Sequence, residues 1–260
     1  MGHDLWLSLF GFLVGMFGTL IGAGGGFILM PVLLLLYPHD SPETITSISL
    51  SVTFANAFSG TMAYARMKRI HYTYGLIFAA AAIPGAISGA LVTYYVHRRT
   101  FDFIFAILLI IASVILFLKT PMGRGSDAHR SVQLSPRYFR LGILISAAVG
   151  FVSSFLGIGG GIIHVPALAG ILGFPVHIAT ATSHFILAIV TFAGVMVHII
   201  TGTFQHGIVR AIFLAFGVLF GAQAGALFSS KVEARIIIRL LAVALALVGI
   251  RLLLLSLNEF

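Results

Sequence analysis

The sequence predicts an all-α, polytopic membrane protein made of two homologous halves. Hydrophobic residues make up 59% of the chain and charged residues only 8%, with a mean hydropathy of +1.10. Soluble domains do not have this composition. Long apolar stretches recur along the chain, and a glycine-rich segment of the first half is repeated in the second. The chain is therefore expected to cross a membrane several times as helices.

Several apolar stretches are long enough for the hydrocarbon core of a bilayer, which needs about 20 helical residues. They cover residues 5–37, 44–65, 74–96, 101–119, 139–172, 178–200, 207–229 and 232–257. The N-terminus has no basic segment ahead of its apolar run, so a cleavable signal peptide is not expected. We predict a multi-pass protein of the cell inner (plasma) membrane.

The net charge of +8 comes from basic residues in short segments between the apolar stretches. The positive-inside rule accounts for such residues, and no soluble basic face is left to contact phosphates. We therefore do not expect nucleic acid as a partner. Cysteine is absent, which excludes disulfides and thiolate metal sites, and no cofactor is expected.

The glycine-rich segment belongs to an internal duplication. The segment GMFGTLIGAGGGFILMP at 15–31 aligns without gaps on GFVSSFLGIGGGIIHVP at 150–166. After a slippage of one residue, Ser49 falls on Ser183. We predict a first transmembrane repeat at 1–119, a cytoplasmic linker at 120–137 and a second transmembrane repeat at 138–260.

Each copy of the duplication interrupts an apolar helix with adjacent glycines. Glycine costs about 1 kcal/mol in a helix interior, so Gly22 to Gly26 should unwind and a new helix should start at Phe27. The eleven residues from Phe27 to Tyr37 reach only halfway across a bilayer at about 1.5 Å each. Unwound backbone at this depth persists only inside protein or along a wet cavity, where the new helix presents free N–H groups to an anion. Broken helices in matching positions of two halves indicate a transporter site.

This repeated element resembles the signature of the TauE/SafE family of sulfite and organosulfonate exporters. The resemblance rests on G-x-G-G-G-x-x-x-x-P in each half, on ATATSHF at 179–185 and on two halves joined by a short linker. It covers nearly the whole chain, although the first half carries the looser segment TITSISLSV at 44–52. It implies a secondary transporter, not an enzyme, that moves a small anion such as sulfite or an organosulfonate by alternating access between the repeats.

Histidines are the ionisable residues placed deepest in the apolar stretches. All seven acidic residues lie at the ends of stretches or in loops, so a carboxylate relay is not expected. His164, His184 and His198 fall within stretches, and an imidazole can hydrogen-bond an anion or carry a proton near neutral pH. His184 is the strongest candidate because it adjoins Ser183. Leu50 stands at its position in the first half.

Hydroxyl and amide side chains form polar stripes in the 44–65 and 178–200 stretches. A sulfite or sulfonate group has several oxygen acceptors, which suit hydroxyls and backbone N–H donors without a buried arginine or lysine. We predict a substrate site near the bilayer midplane, where the two broken helices point at each other. Its predicted residues are Gly24, Gly25, Gly26, Ser49, Asn56, Gly159, Gly160, Gly161, Thr182, Ser183 and His184.

Other functions fit part of the pattern. An anion channel would share this chemistry, and a carrier of other small carboxylate-type anions would use the same donors. A serine hydrolase built on Ser88 lacks the first glycine of G-x-S-G. GAISG at 85–89 and GVLFGAQAG at 217–225 are predicted to be packing surfaces of small residues. The expected partners are the anionic solute and the lipid bilayer, while a coupling proton and a homo-oligomer stay open.

The glycine elements allow two topologies. If each is a re-entrant hairpin, each half crosses three times and the halves are inverted, whereas spanning elements give four crossings and parallel halves. The hairpin places eleven basic residues on one side and four on the other, against ten and five for the spanning alternative. The positive-inside rule favours the hairpin. We predict an inverted repeat with both termini outside and the linker in the cytoplasm.

Overall fold

The computed structural model describes residues 5–118, 134–229 and 234–258, and every regular element in these ranges is helical. The predicted all-α class is therefore confirmed. The first repeat contains α1 (Leu5–Ile21), α2 (Gly26–Leu36), α3 (Pro42–Arg66), α4 (Tyr72–Thr93) and α5 (Arg98–Leu118). The second contains α6 (Pro136–Leu156), α7 (Gly161–Pro166), α8 (Val176–Ile200), α9 (Ile208–Phe228) and α10 (Ala234–Asn258). Most of the predicted linker lies outside the described residues.

Four of the described helices are long and apolar enough to cross a membrane, namely α4, α6, α8 and α9. Shorter apolar helical segments are α1, α2, Leu245–Ser256 within α10, and α7 together with the π-helical turn Ala167–Ile171 that extends it. α3 has 25 residues, enough to cross, but it carries many hydroxyl side chains and Asn56. Most of these polar groups are buried against protein and do not face lipid.

The central helices α3 and α8, which the duplication equates, run in opposite directions. Phe54 of α3 packs on Phe192 of α8 with ring centroids 5.4 Å apart. Further along α3, Gly60 lies against His184. Residue numbers therefore rise along α3 as they fall along α8.

The second pair of equivalent helices, α5 and α10, is antiparallel in the same way. Arg99 at the start of α5 donates to the Ser256 carbonyl at 3.0 Å, near the end of α10. Ser113, late in α5, donates to the Ala242 carbonyl at 2.6 Å, early in α10. Each repeat thus contacts its mate through helices of opposite direction.

The outer seams pair non-equivalent helices of the two repeats, α1 with α9 and α4 with α6. Added Cβ atoms would meet backbone atoms closer than 3.0 Å at Gly217, Gly221 and Gly225 of α9, which face Ser8, Phe12 and Met16. Gly85 and Gly89 of α4 face Ala147 and Phe151 of α6 in the same way. Both seams are parallel, and both depend on small residues that let helix backbones approach closely. The predicted packing surfaces are confirmed.

α1 and α2 form a hairpin that turns back beside the middle of α3. α3 runs parallel to α9, because Ile48 lies beside Gly207 and Ser59 donates to the Leu219 carbonyl at 2.8 Å. α1 is also parallel to α9, so α1 and α3 share one direction. α2 starts at Gly26, level with the middle of α3, and returns to the start of α3. The helices α6, α7 and α8 repeat this path against α4.

The C-terminal end of α2 is fixed by Arg98 at the start of α5. The guanidinium donates to the carbonyls of Leu34 at 2.8 Å and Asp40 at 2.6 Å, and it pairs with Asp102 at 2.8 Å. Arg210 forms an ion pair with the Asp40 carboxylate. The last carbonyls of a helix have no partner within it, so Arg98 satisfies groups that would otherwise be open.

Candidate functional site

Both glycine elements are unwound, as the sequence predicts. Positive φ angles occur at Gly22, Gly24 and Gly25 in the first repeat and at Gly157, Gly159 and Gly160 in the second. These positions coincide in the two copies, and glycine adopts the left-handed conformation at little cost. α2 begins at Gly26 and not at Phe27, because Gly25 serves as the N-cap.

The two loops, residues 22–26 and 157–161, are called the tips, and they touch each other. A Cβ atom added at Gly161 would lie 2.7 Å from the Ala23 backbone. One added at Gly26 would lie 2.7 Å from the carbonyl oxygen of Ile158. Ala23 and Ile158 are buried. The structure therefore brings the predicted glycines of both repeats together, at a spacing that only glycine permits.

A serine of each repeat bonds to the tip of the other repeat. Ser49 of α3 donates to the Gly157 carbonyl at 2.6 Å. Its counterpart Ser183 of α8 donates to the Gly22 carbonyl at 3.4 Å. Because a hydroxyl has one proton, both predicted donors are engaged with protein in this conformation.

The helix starts at the tips present unpaired amides. In α2 the first donors are Ile28 and Leu29, which both bond to the Gly25 carbonyl at 3.0 Å. The amides of Gly26 and Phe27 have no partner among the described residues, as expected for the first turn of a helix. The start of α7 shows the same pattern. Several N–H groups and the positive ends of two helix dipoles thus converge.

Buried side-chain atoms without a hydrogen bond surround the tips. Thr53 Oγ1, Asn56 Nδ2 and Ser153 Oγ have no partner among the described residues, and each lies against a tip glycine. An unsatisfied buried donor costs about 1 to 3 kcal/mol, so these groups favour a polar ligand or water. Thr53 belongs to the predicted polar stripe of the 44–65 stretch but was not among the predicted site residues, and neither was Ser153.

His184 reaches the first tip through side chains of two other helices. Its Nε2 lies 3.3 Å from Thr19 Oγ1 of α1, and Thr19 Oγ1 lies 2.5 Å from Asn56 Oδ1 of α3. Tyr64 donates its hydroxyl proton to the Thr19 carbonyl at 2.8 Å. Thr19 and Tyr64 were not predicted, since only the packing of α1 on α3 and α8 reveals them.

The remaining polar candidates point elsewhere. Thr182 accepts a hydrogen bond from the His71 amide at 3.0 Å, so it faces the start of α4 and not the tips. His164 and His198 bond to hydroxyls of nearby residues. Of the three predicted histidines, His184 is the one whose side chain is linked to a tip by the described hydrogen bonds.

Comparison with known proteins relates the chain to membrane transporters. Residues 7–252 match the family described as Sulfite exporter TauE/SafE. The chain is 31% identical over 263 residues to the probable membrane transporter protein YunE of Bacillus subtilis, covering 95% of this chain and 96% of that protein. It is 27% identical over 263 residues to a probable membrane transporter protein of Methanocaldococcus jannaschii, covering 95% and 94%. No solved structure matches the chain significantly.

Proposed function

We propose that this chain, which belongs to the TauE/SafE family of multi-pass membrane transporters, is a secondary carrier of small sulfur-containing anions such as sulfite or organosulfonates. The observation that carries the proposal is the contact between two broken-helix tips, one from each repeat, in a buried position. Secondary transporters bind solutes where discontinuous helices meet at a repeat interface.

The donors around the tips suit a compact oxyanion. Three oxygens of a sulfite or sulfonate group can each accept two hydrogen bonds, and the helix-start amides supply several at once. In this proposal the unpaired groups of Thr53, Asn56 and Ser153 supply the rest. The proposed site keeps Gly24, Gly25, Gly26, Gly159, Gly160, Gly161, Ser49, Asn56, Ser183 and His184. Thr182 would join only after losing its bond to His71.

The serine bonds support an alternating-access cycle. In the described conformation Ser49 and Ser183 hold the tips together through the carbonyls of Gly157 and Gly22. An anion that enters between the tips competes with these carbonyls for the same two protons. We propose that binding exchanges the serine bonds for bonds to the anion and lets the repeats move relative to each other.

The directions of the helices support the inverted topology. The repeat mates α3 and α8 are antiparallel, as are α5 and α10. Such pairs are expected when a two-fold axis lies in the plane of the membrane. Basic residues are concentrated where α3 meets α4 and where α6 begins, including Arg66, Lys68, Arg69, Arg137 and Arg140. We propose that this end faces the cytoplasm.

A binding screen tests the proposed function. The purified protein is heated with sulfite, methanesulfonate, sulfate or acetate, and the unfolding temperature is recorded. A ligand at 100 times its Kd stabilises the folded state by about 2.7 kcal/mol. We expect stabilisation by sulfite and methanesulfonate. Stabilisation by acetate alone would identify a carboxylate carrier, and no stabilisation by any anion would contradict the proposal.

Transport measurements separate a carrier from a channel. In liposomes, unlabelled sulfite on one side should drive uptake of labelled sulfite from the other, because a carrier exchanges its solute one molecule at a time. A channel gives no such counterflow and conducts an ionic current instead. The two tips touch, so no open path runs between them, and this favours a carrier over a channel.

A further inference from the structure

The side chains of His184, Thr19 and Asn56 form a hydrogen-bonded series that leads to the first tip. Their available protons allow two arrangements of donors and acceptors. Thr19 has one hydroxyl proton and lies between His184 Nε2, at 3.3 Å, and Asn56 Oδ1, at 2.5 Å. If Thr19 donates to Asn56, His184 must donate from Nε2. If Thr19 donates to His184, Asn56 must turn its amide over and donate to Thr19.

The two arrangements present opposite groups to the tip. In the first, the Asn56 NH₂ group faces the tip, where it lies 3.0 Å from the position of a Cβ atom at Gly25. That group is a donor and suits an anion. In the second, the amide oxygen takes the place of the NH₂ group beside Gly25, so an acceptor replaces a donor at the tip. The orientation of Asn56 therefore decides whether the tip is ready to bind.

Protonation of His184 selects the first arrangement. A neutral histidine that donates from Nε2 has a bare lone pair on Nδ1, which has no partner among the described residues. The backbone carbonyls of Thr180 and Gly22 interact with the ring and favour N–H groups on it. A protonated ring carries N–H groups on both nitrogens, so it suits these carbonyls while Nε2 donates to Thr19.

The surroundings of His184 make its protonation depend on the anion. α3 faces it with Gly60 and Tyr64, whose ring lies edge-on at 5.5 Å, and α1 faces it with Thr19. Tyr64 is the titratable group among these contacts, and the positive charge of Arg69 acts on Tyr64. No carboxylate faces the ring in the described contacts. A buried imidazolium without a counter-charge is costly, whereas an anion at the tip supplies one.

We infer that His184 takes up one proton when the anion binds at the tips, with Thr19 and Asn56 linking the two events. The inference rests on the proposed function. The proton would be the coupling ion of the carrier, because proton and anion would cross the membrane together. The positions that the duplication equates with Thr19, Asn56 and His184 are occupied by Ser154, Val190 and Leu50. One such link exists for each molecule, so one proton accompanies each anion.

Calorimetric titration of the purified protein tests the inference. Methanesulfonate is the main probe because a sulfonate keeps its charge throughout the pH range used, and sulfite is the second. In the pH range where His184 is neutral in the free protein and protonated in the complex, the affinity for the anion should rise about tenfold for each unit by which the pH falls. Titrations in buffers of different ionisation heat should show uptake of one proton for each anion bound.

Thr19→Val keeps the shape of the side chain but breaks the link, and His184→Gln removes the proton site. Both should bind the anion with nearly the same affinity at about pH 6 and about pH 8 and without proton uptake, since the ordinary titration of histidine lies in this range. A packing role alone would weaken binding equally at both pH values and leave proton uptake intact. Ser154→Ala, at the matching position of the other repeat, should retain the full pH dependence.

Binding by the parent protein without pH dependence or proton uptake would overturn the inference and leave the carrier function standing. Retention of both properties in Thr19→Val would overturn it as well. Failure of the parent to bind either probe would instead remove the proposed function, and the inference with it.

Discussion

Ser49 and Ser183 show how single side chains connect the two repeats. Each belongs to a central helix, and each bonds to the backbone of the opposite tip. The shorter bond, from Ser49 at 2.6 Å, joins two fully buried partners. These contacts place hydrogen bonds at the interface that has to open in the proposed transport cycle.

Replacing Ser49 by alanine should destabilise the protein. The Gly157 carbonyl would lose the donor at 2.6 Å and stay buried, which costs about 1 to 3 kcal/mol. Thermal unfolding of the purified protein measures the loss. Ser88→Ala is the matched control, because Ser88 is exposed and bonds only to carbonyls of its own helix. Equal stability of the two variants would contradict the assigned role of Ser49.

Gly161→Ala tests the contact between the tips. Gly161 has no positive φ, so the change adds no backbone strain, but its Cβ would lie 2.7 Å from the Ala23 backbone. We expect a loss of about 1 to 3 kcal/mol of stability from overpacking. Gly170→Ala, in the π-helical turn that follows α7, is the control because no atom lies within 4 Å of its added Cβ. If both variants unfold at the temperature of the parent, the tips are not packed as described.

At the scale of elements, the two hairpins end differently. α2 ends in the network of Arg98, Asp102, Asp40 and Arg210, which ties it to α5 and α9. α7 ends instead in a π-helical turn at Ala167–Ile171, where the helical hydrogen bonds are less regular. The first hairpin is therefore expected to be the more rigid of the two.

Arg98→Lys should loosen the end of α2. Lysine keeps the charge but lacks the planar fork that bonds to the Leu34 and Asp40 carbonyls and to Asp102 at once. Hydrogen exchange in residues 34–40 should become faster, while exchange in the second hairpin stays unchanged. Arg251→Lys, an exposed position, is the control. Unchanged exchange at 34–40 would show that Arg98 does not hold this end.

The sequence is sufficient to predict the elements that depend on local conformation. Adjacent glycines predict the unwound tips, and small residues predict the seams at Gly85 and Gly217, because both effects arise from the residues themselves. The sequence does not predict which side chains of different helices contact each other. Thr19 shows no signal in its own segment, and Thr182 shares a polar stripe with Ser183 but faces α4. Only packing decides which of two neighbouring side chains enters the site.

At the scale of the whole molecule, the two predicted repeats share matching contacts but differ in some of the residues that make them. The seams and the serine bonds occur in both repeats, whereas the described residues contain the His184 link on one side only. Symmetry of this kind lets one fold reach two related conformations, while the unequal residues set their relative energies.

Cysteine labelling tests the proposed topology in this naturally cysteine-free chain. His39 precedes α3, and Thr201 follows α8. In the inverted arrangement His39→Cys and Thr201→Cys should react with an impermeant reagent from outside intact cells, whereas Ser135→Cys, ahead of α6, should react only after permeabilisation. All three side chains are exposed. Labelling of Ser135→Cys and His39→Cys from the same side would exclude the proposed topology.

The most direct test of an anion site at the tips is the affinity for sulfite in Ser183→Ala and Gly160→Ala, measured by calorimetric titration against Ser88→Ala and Gly170→Ala. Loss of one hydroxyl from a buried anion should cost about 1.5 to 3 kcal/mol, roughly ten- to a hundredfold in affinity. Gly160→Ala should lose at least as much, because φ is +72° there and a Cβ would lie 2.8 Å from Val149. Both controls should bind like the parent. If Ser183→Ala and Gly160→Ala fold normally and also bind like the parent, the anion binds away from the tips.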